Sequence, residues 1–428
     1  MLKSISIAST FLLASTSFAA TGDSRGWHAD AALQKALADK HTSWIYREEQ
    51  VPAYRLPDAL LCEDGSRVTT VEQWEKIRRP QTLELFRKFV YGRSPIEAPK
   101  VSFQVVQTDP KALDARATLK RVRITSADSA GKSFAFEAAV MIPNSRSSPV
   151  PAFLLINNRT LASADPSRAK KDEFWPVEEI IARGYATAVF RTVDVDPDKD
   201  GPEARAAGVR GVWPAGGGVV GQDAWGTTGA WAWGASRVLD YLRTDPAIDG
   251  DRVAVIGHSR GGKTALWAGA QDQRFALVCA NCSGRGGASL SRRRFGETVA
   301  AINKGFPYWF CDNFKQFDNR EDQLPVDQHQ LLALIAPRGL CVADADADFW
   351  ADQRGEFLSL VGAGQVYALY GFEGFKPDEM PPLETPLIRG PMGYHIRRGI
   401  HNLTLYNWER YMDFADHLWK KGKAERER

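Results

Sequence analysis

The hydrophobic pattern of the chain changes character along its length. Apolar runs at 101–107, 118–125, 133–142 and 150–156 follow one another closely, separated by turn-forming residues, and predict four β-strands. Beyond residue 170 short apolar runs alternate with helical spacing. A helix at Val177–Arg183 leads to a strand at Tyr185–Phe190, and a long helix near Trp225–Arg243 leads to Val253–Ile256. A helix from Gly262 leads to Phe275–Ala280, one near Gln330 to Leu340–Ala343, and one near 353–361 to Val366–Tyr370. A final helix is predicted over about 404–420. Before the strands, Val71 to Tyr91 has helical spacing, with Trp74, Ile77, Leu83, Phe86 and Val90 as inward positions, and 23–60 reads as irregular. Strands first and strand–helix alternation afterwards predict an α/β domain: a mixed, mostly parallel sheet with helices on both faces. It carries an N-terminal extension over about 21–100 and loop insertions at about 191–222 and 371–394, both rich in Gly, Pro and charge and without a period. Loops of that length in a compact domain tend to be functional.

Composition narrows the possibilities. With 428 residues, 44% of them hydrophobic and 25% charged, the chain is globular rather than disordered. Lys and Arg total 55 against 52 Asp and Glu, without blocks of one sign, which argues against nucleic-acid binding. Residues 1–20 read as a secretory signal: Lys3, an apolar run from Ile5 to Ala14, then Ser17-Phe18-Ala19 for a peptidase. The expectation is a secreted or periplasmic protein, monomeric and without a membrane anchor after cleavage. Five cysteines remain, an odd number that leaves at least one thiol unpaired. Cys279 and Cys282 form a C-x-x-C without a second ligand pair, so no metal site is expected and Cys279 reads as buried.

The clearest chemistry is Val253-Ala-Val-Ile-Gly257-His258-Ser259-Arg260-Gly261-Gly262-Lys263. An apolar strand enters G-x-S-x-G and a helix leaves it, the context in which a strained turn lifts a nucleophilic serine above a sheet. The helix start beside Ser259 can stabilise an oxyanion. A serine needs a base and the base an acid, in the chain order Ser, acid, His. After Ser259, His329 comes before the best acids and His417 reads as a surface residue of the last helix. His395 and His401 share a Gly-rich loop between the last strand and the last helix. Position favours His401, with His395 open. The segment Asp344-Ala-Asp346-Ala-Asp348-Phe-Trp350-Ala-Asp352 supplies four acid candidates, of which Asp352 suits a helix cap. Its alternation lacks the glycine and distal glutamate of an EF-hand calcium loop.

Several stretches resemble carbohydrate esterase family 15, the glucuronoyl esterases, especially its bacterial members. They are Gly257–Ala270, Asn281–Glu297, Asp344–Asp352 and Gly393–His401, with 40–100 resembling the family's N-terminal segment. The resemblance implies an α/β-hydrolase domain that cleaves esters of (4-O-methyl-)glucuronic acid, as in lignin–glucuronoxylan cross-links, with no cofactor. Carried over by motif position, Ser259 would be the nucleophile, His401 the base, and Arg260 part of the oxyanion hole. Lys263 and Glu297 would bind sugar hydroxyls, and Trp350 would line that pocket. Where many members place an acidic glutamate this chain has Cys282. Some bacterial members carry the acid in the later Asp-x-Trp loop, which selects Asp348. Rival readings are an acetyl xylan esterase or broad carboxylesterase, a serine peptidase of the same fold, and a non-catalytic carbohydrate-binding protein.

Overall fold

The computed structural model describes residues 26–41, 43–94, 100–214 and 221–424; the signal-like segment 1–20 and part of the glycine run after Trp213 lie outside them. Among the described residues ten strands form one sheet: β1 (Lys100–Lys111), β2 (Ala117–Ala127), β3 (Ser133–Pro143), β4 (Val150–Asn157), β5 (Ala186–Arg191), β6 (Ile248–His258), β7 (Leu277–Asn281), β8 (Gly339–Ala345), β9 (Leu387–Arg389) and β10 (Met392–Arg397). Their order is β1-β2-β3-β5-β4-β6-β7-β8-β10-β9. The six neighbours β5 through β10 pair parallel, while β1, β2, β3 and β9 pair antiparallel at the two ends.

The central strands are continuous apolar runs because both of their faces are buried. Side-chain alternation divides them between two cores. Leu154, Ile156, Val253, Val255, Val278 and Val342 point to one, under the helices Thr227–Leu242, Arg260–Gln271, Gln328–Ala333 and Gln353–Leu369. Phe153, Leu155, Ala254, Ile256, Cys279 and Ala343 point to the other, under Val177–Ala182 and Leu405–Ala424. Strand β1, by contrast, is largely exposed and carries Pro110 and terminal lysines, features that blunt a sheet edge.

Several expectations are corrected. Val366–Tyr370 is not a strand; it ends the helix Gln353–Leu369. That helix packs the apolar core on several sides, with Phe357, Leu360, Ala363, Val366 and Tyr367 all buried, so the 3.6-residue stripe that would mark it is blurred. The last parallel strand is β10, inside the segment read as a loop, and β9 lies in the supposed insertion 371–394. Strand β10 escaped notice because its buried positions include Tyr394, His395 and Arg397, whose polar atoms find partners inside the protein. The insertion 191–222 holds short helices at Thr192–Val195, Pro202–Ala207 and Val209–Val212. The stretch 23–60 contains the helix Ala31–Lys40, capped by Asp30 accepting from Leu33 N at 2.8 Å; with no buried residue, it left no apolar stripe to read.

Residues 71–91 are helical as the spacing predicts, but π turns at Trp74–Arg78 and Arg87–Tyr91 flank the α segment Arg79–Phe86. Pro80 has no N–H for the carbonyl four residues back, which favours the wider turn before it. Each π turn shifts the phase of the inward face. Trp74, Leu83, Phe86 and Val90 remain buried, while Ile77 turns outward and is 45% exposed.

Candidate active site

Ser259 sits between the end of β6 and the helix Arg260–Gln271, with φ 58° and ψ −124°. A non-glycine residue in that region is strained, and here the surrounding backbone enforces it. A Cβ at Gly257 would lie 1.9 Å from Gly261 O, so strand and helix approach too closely for any side chain there. At Gly261 a Cβ would come within 3.1 Å of Ile156 O, on the neighbouring β4. Ser259 N–H donates to Asn281 O at 2.9 Å, and Ser259 O accepts from Gly262 N and Lys263 N at 2.9 and 3.1 Å. The turn is therefore pinned on both sides while the hydroxyl side remains partly exposed.

The loops after β8 and β10 meet beside it. Asp348, which is buried, follows β8, and its Oδ2 lies 2.5 Å from His401 Nδ1. The His401 side chain is 43% exposed, and its ring rests on His258, centroids 4.4 Å apart. His258 precedes Ser259 in the chain. Its Nδ1 is 2.6 Å from Asn281 Oδ1, and burial followed by the nearby His401 holds its pKa well below the usual imidazole range. The His401 loop is clamped from within the fold: Arg397 Nη2 donates to Ile400 O at 2.9 Å and Asn402 O at 2.6 Å, on either side of the histidine. The Ser259 hydroxyl makes no hydrogen bond to His401 or to any other group among the described residues.

The four aspartates have different fates. Asp346 Oδ1 accepts from Gly399 N at 2.7 Å and ties the two loops together. Asp352 caps the helix Gln353–Leu369 and pairs with Arg293 at 3.1 Å. Asp344 is fully buried and accepts from Tyr394 OH at 3.0 Å; burial, then the nearby Glu356 and Asp348 carboxylates, push its pKa well up. Glu356 is likewise pushed up to about 8, mainly by burial, although Ser283 Oγ at 3.0 Å and Gly284 N donate to it. Only Asp348 contacts a histidine. His395, the other candidate, is buried in β10 with Nε2 3.0 Å from Asn407 Nδ2, and burial, then Arg410 and Arg397, lower its pKa to about 3.

Cys282, buried with φ 44°, offers a thiol that together with Asp348 and His401 forms a group of ligand-type atoms within 4.8 Å of one another. The 2.5 Å His401–Asp348 contact is nevertheless a hydrogen-bond distance. Two ligands of one tetrahedral zinc stand roughly 3.3 Å apart, so the arrangement as built is a hydrogen-bonded dyad rather than a metal cage. Burial pushes the Cys282 thiol well up, keeping it protonated. All five cysteines are buried and free, Cys279 among them.

The remaining candidates, Lys263, Glu297, Trp350 and Arg260, gather polar groups and aromatic rings. Lys263 is buried and its Nζ donates to Ser283 O at 2.5 Å. Glu297 is also buried, but no Lys263–Glu297 ion pair forms. Burial lowers the Lys263 pKa and raises that of Glu297, while each charge favours the other's ionised form. Trp350 is 46% exposed and stands edge-on to Trp44, centroids 4.4 Å apart. The Arg260 guanidinium pairs with Asp198 and lies over Trp309, 5.0 Å from the ring centroid. Sequence reasoning missed Asp198, Trp309, Trp44 and Arg397. The first lies in a long insertion flagged only as a whole, and the others resemble ordinary core or surface residues until the chain folds.

A strained serine between a parallel strand and a helix, with a histidine–aspartate dyad from later strand ends, defines the α/β-hydrolase class. The glucuronyl esterase family of fungi matches residues 124–371. Carbohydrate esterase MZ0003, from an unknown prokaryotic organism, is 39% identical over 400 residues, covering 87% of this chain and 91% of its own. A 4-O-methyl-glucuronoyl methylesterase of Schizophyllum commune is 31% identical over 332 residues, covering 74% of each. The solved structure of the glucuronoyl esterase from Solibacter usitatus superposes with a TM-score of 0.80 at 38% identity, covering 87% of this chain and 100% of that one. The chain belongs to the glucuronoyl esterases, carbohydrate esterase family 15.

Proposed function

We propose that the protein is a serine esterase that hydrolyses esters of 4-O-methyl-glucuronic acid, with Ser259, His401 and Asp348 as its catalytic set. The observation that carries this reading is the Asp348–His401 contact beside the strained Ser259 turn. With Nδ1 held by Asp348, His401 presents Nε2 to the reaction. The Ser259–His401 bond closes when substrate fills the cleft, as such contacts tighten on binding. His401 then takes the Ser259 proton while Oγ attacks the ester carbon. The alcohol leaves with that proton, and water, activated by the same imidazole, releases the uronic acid from the acyl-serine.

Arg260 and the N–H groups at the start of its helix meet the charge that develops on the carbonyl oxygen. A uronate ester is neutral, so its recognition rests on hydrogen bonds. Lys263 donates and Glu297 accepts at adjacent sugar hydroxyls, and Trp350 with Trp44 supplies the apolar wall that pyranose rings favour. The natural substrates on this reading are the glucuronoxylan esters of lignin, reached by export after removal of residues 1–20. Among the described residues no helix is long and apolar enough to cross a membrane. The deciding experiment is hydrolysis of benzyl glucuronate by the wild type and Ser259→Ala. The variant is expected to lose at least about 10⁴-fold in kcat. Retained turnover, or a preference of the wild type for acetylated sugars with none for the glucuronate ester, would overturn the proposal.

A further inference from the structure

We infer that Asp198 is a positioning residue for the esterase reaction, holding the Arg260 guanidinium at the site where the oxyanion develops. The inference rests on the role proposed above for Arg260. An arginine side chain is long and loses considerable rotamer entropy when fixed. A donor that must be in place before charge develops therefore needs a partner that holds it beforehand.

Asp198 has the required features. One carboxylate oxygen, Oδ1, accepts from Trp309 Nε1 at 2.8 Å and from Tyr308 OH at 3.0 Å. The other, Oδ2, accepts from Arg260 Nη1. Both oxygens are thus committed, and the carboxylate plane cannot turn freely. The guanidinium also lies over Trp309 and Phe306, at 5.0 and 5.7 Å from the ring centroids, and those two rings stack 3.7 Å apart and nearly parallel. Asp198 and the two rings restrict Arg260 from separate directions. An arginine has five N–H donors. Asp198 engages the Nη1 end, and Nε is buried with no protein acceptor, so donor capacity is left over.

The support extends behind Asp198. Two residues earlier, Asp196 is fully buried, pairs with Arg210 at 2.8 Å and accepts from Trp231 Nε1 through its backbone carbonyl at 2.8 Å. Trp231 belongs to the buried helix Thr227–Leu242. The loop that carries Asp198 is therefore bolted to the core immediately before the carboxylate. The pair itself is not sealed in the core, with side chains 31% exposed for Arg260 and 14% for Asp198. Its proper effect is on geometry in the transition state and not on ground-state binding.

The test is a double-mutant cycle on benzyl glucuronate with Asp198→Asn, Arg260→Ala and the double variant. Arg260→Ala is expected to lose about 10²–10³-fold in kcat. Asp198→Asn, which removes a charge-assisted bond, is expected to lose roughly ten- to a hundredfold in kcat with KM little changed. The double variant should be no worse than Arg260→Ala alone, since Asp198 has no other route to the reaction. Active-site titration with a serine-directed phosphonate corrects each rate for misfolded protein. Should Asp198→Asn not fold, Trp309→Phe removes one of the bonds that aims Asp198 and keeps the ring; a smaller fall in kcat at constant KM is expected. If Arg260→Ala is impaired but Asp198→Asn and Trp309→Phe are not, the inference about Asp198 fails and the oxyanion role stands. If the losses simply multiply, Asp198 acts on the fold and the inference also fails. If Arg260→Ala itself keeps full kcat, the oxyanion reading falls and takes this one with it.

Discussion

The two sides of Ser259 are built differently. On one side, Ser259, Asp348 and His401 each follow the carboxyl end of a parallel strand, β6, β8 and β10. Their spacing is set by the strand pairings of the sheet, and the loops that carry them are short and cross-linked. On the other side, Arg260, Trp350 and Lys263 have partners from outside the parallel core: Asp198 from the segment after β5, Trp44 from the N-terminal segment, and Trp309 from the region between β7 and β8. On the proposed mechanism the sheet side carries the bond-breaking chemistry, which tolerates little displacement. On the same reading the inserted side holds the oxyanion arginine and shapes the sugar pocket, and the pocket can vary while the chemistry is kept. A fold can thus serve many substrates by changing what is appended to one invariant edge.

This contrast predicts that variants on the sheet side lower kcat for every ester, while variants at the sugar-binding residues Lys263 and Glu297 raise KM for glucuronate esters only; Arg260 and Asp198, which act on the oxyanion, follow the sheet side although they stand on the other. The largest effect is expected from Asp348→Asn, which leaves His401 without its acid and should cost about 10⁴-fold in kcat on both benzyl glucuronate and a simple aryl ester. An equal loss in Asp346→Asn would remove the distinction between the aspartates. Arg397→Gln comes next. Freeing the carbonyls on either side of His401 should misplace the imidazole and cost on the order of 10²-fold in kcat, with KM nearly constant. Glu297→Gln should raise KM for the glucuronate ester roughly tenfold and leave the aryl ester untouched; a parallel loss on both would merge the two sides.

Smaller still is the effect of the buried carboxyl pair behind Cys282. Glu356 is raised from 4.5 to about 8, so the folded state keeps a proton there that the unfolded chain releases. Its stabilising contribution is full below pH 4.5 and is lost as pH rises toward about 8. Glu356→Gln, which mimics the protonated form, should flatten the decline of Tm over that interval by ~2–4 °C, measured by thermal unfolding. A wild-type slope in the variant would place the titration elsewhere. Cys282→Ala should retain most activity, because a protonated, buried thiol cannot do the work of a carboxylate.

The sequence alone was sufficient wherever chemistry and local backbone coincide. The Ser259 turn was legible because a tight bend, a preceding strand and a following helix are all short-range consequences of a few residues, with Gly257 excluded from carrying a side chain by its own neighbour. The chain order of nucleophile, acid and base then confined the partners to two histidines and four aspartates. Position favoured His401 between the histidines, but the residues alone left the aspartates open, and the resemblance to a family was needed to favour Asp348. The fold makes that contact 2.5 Å long and gives the other aspartates a cap, a loop tie and a buried proton site. His395 and His401 are six residues apart, and position before the last helix favoured His401 while leaving His395 open; in the fold one points into the core from β10 and the other lies beyond its end.

What only the tertiary structure decided depends on contacts between distant segments. Helix Gln353–Leu369 and strand β10 could not be told apart from their opposites by period, because burial on several sides erases the helical stripe and internal partners let polar residues into a strand. Arg260 and Asp198, 62 positions apart, carry no mark of each other in the sequence. Local pattern determined the sheet's central strands and its reactive serine, since those follow from steric limits within a few residues. The pairing of charges, the aspartate that reached the histidine and the walls of the pocket waited on folding, since a Coulomb or hydrogen-bond partner is chosen by distance in space and not along the chain.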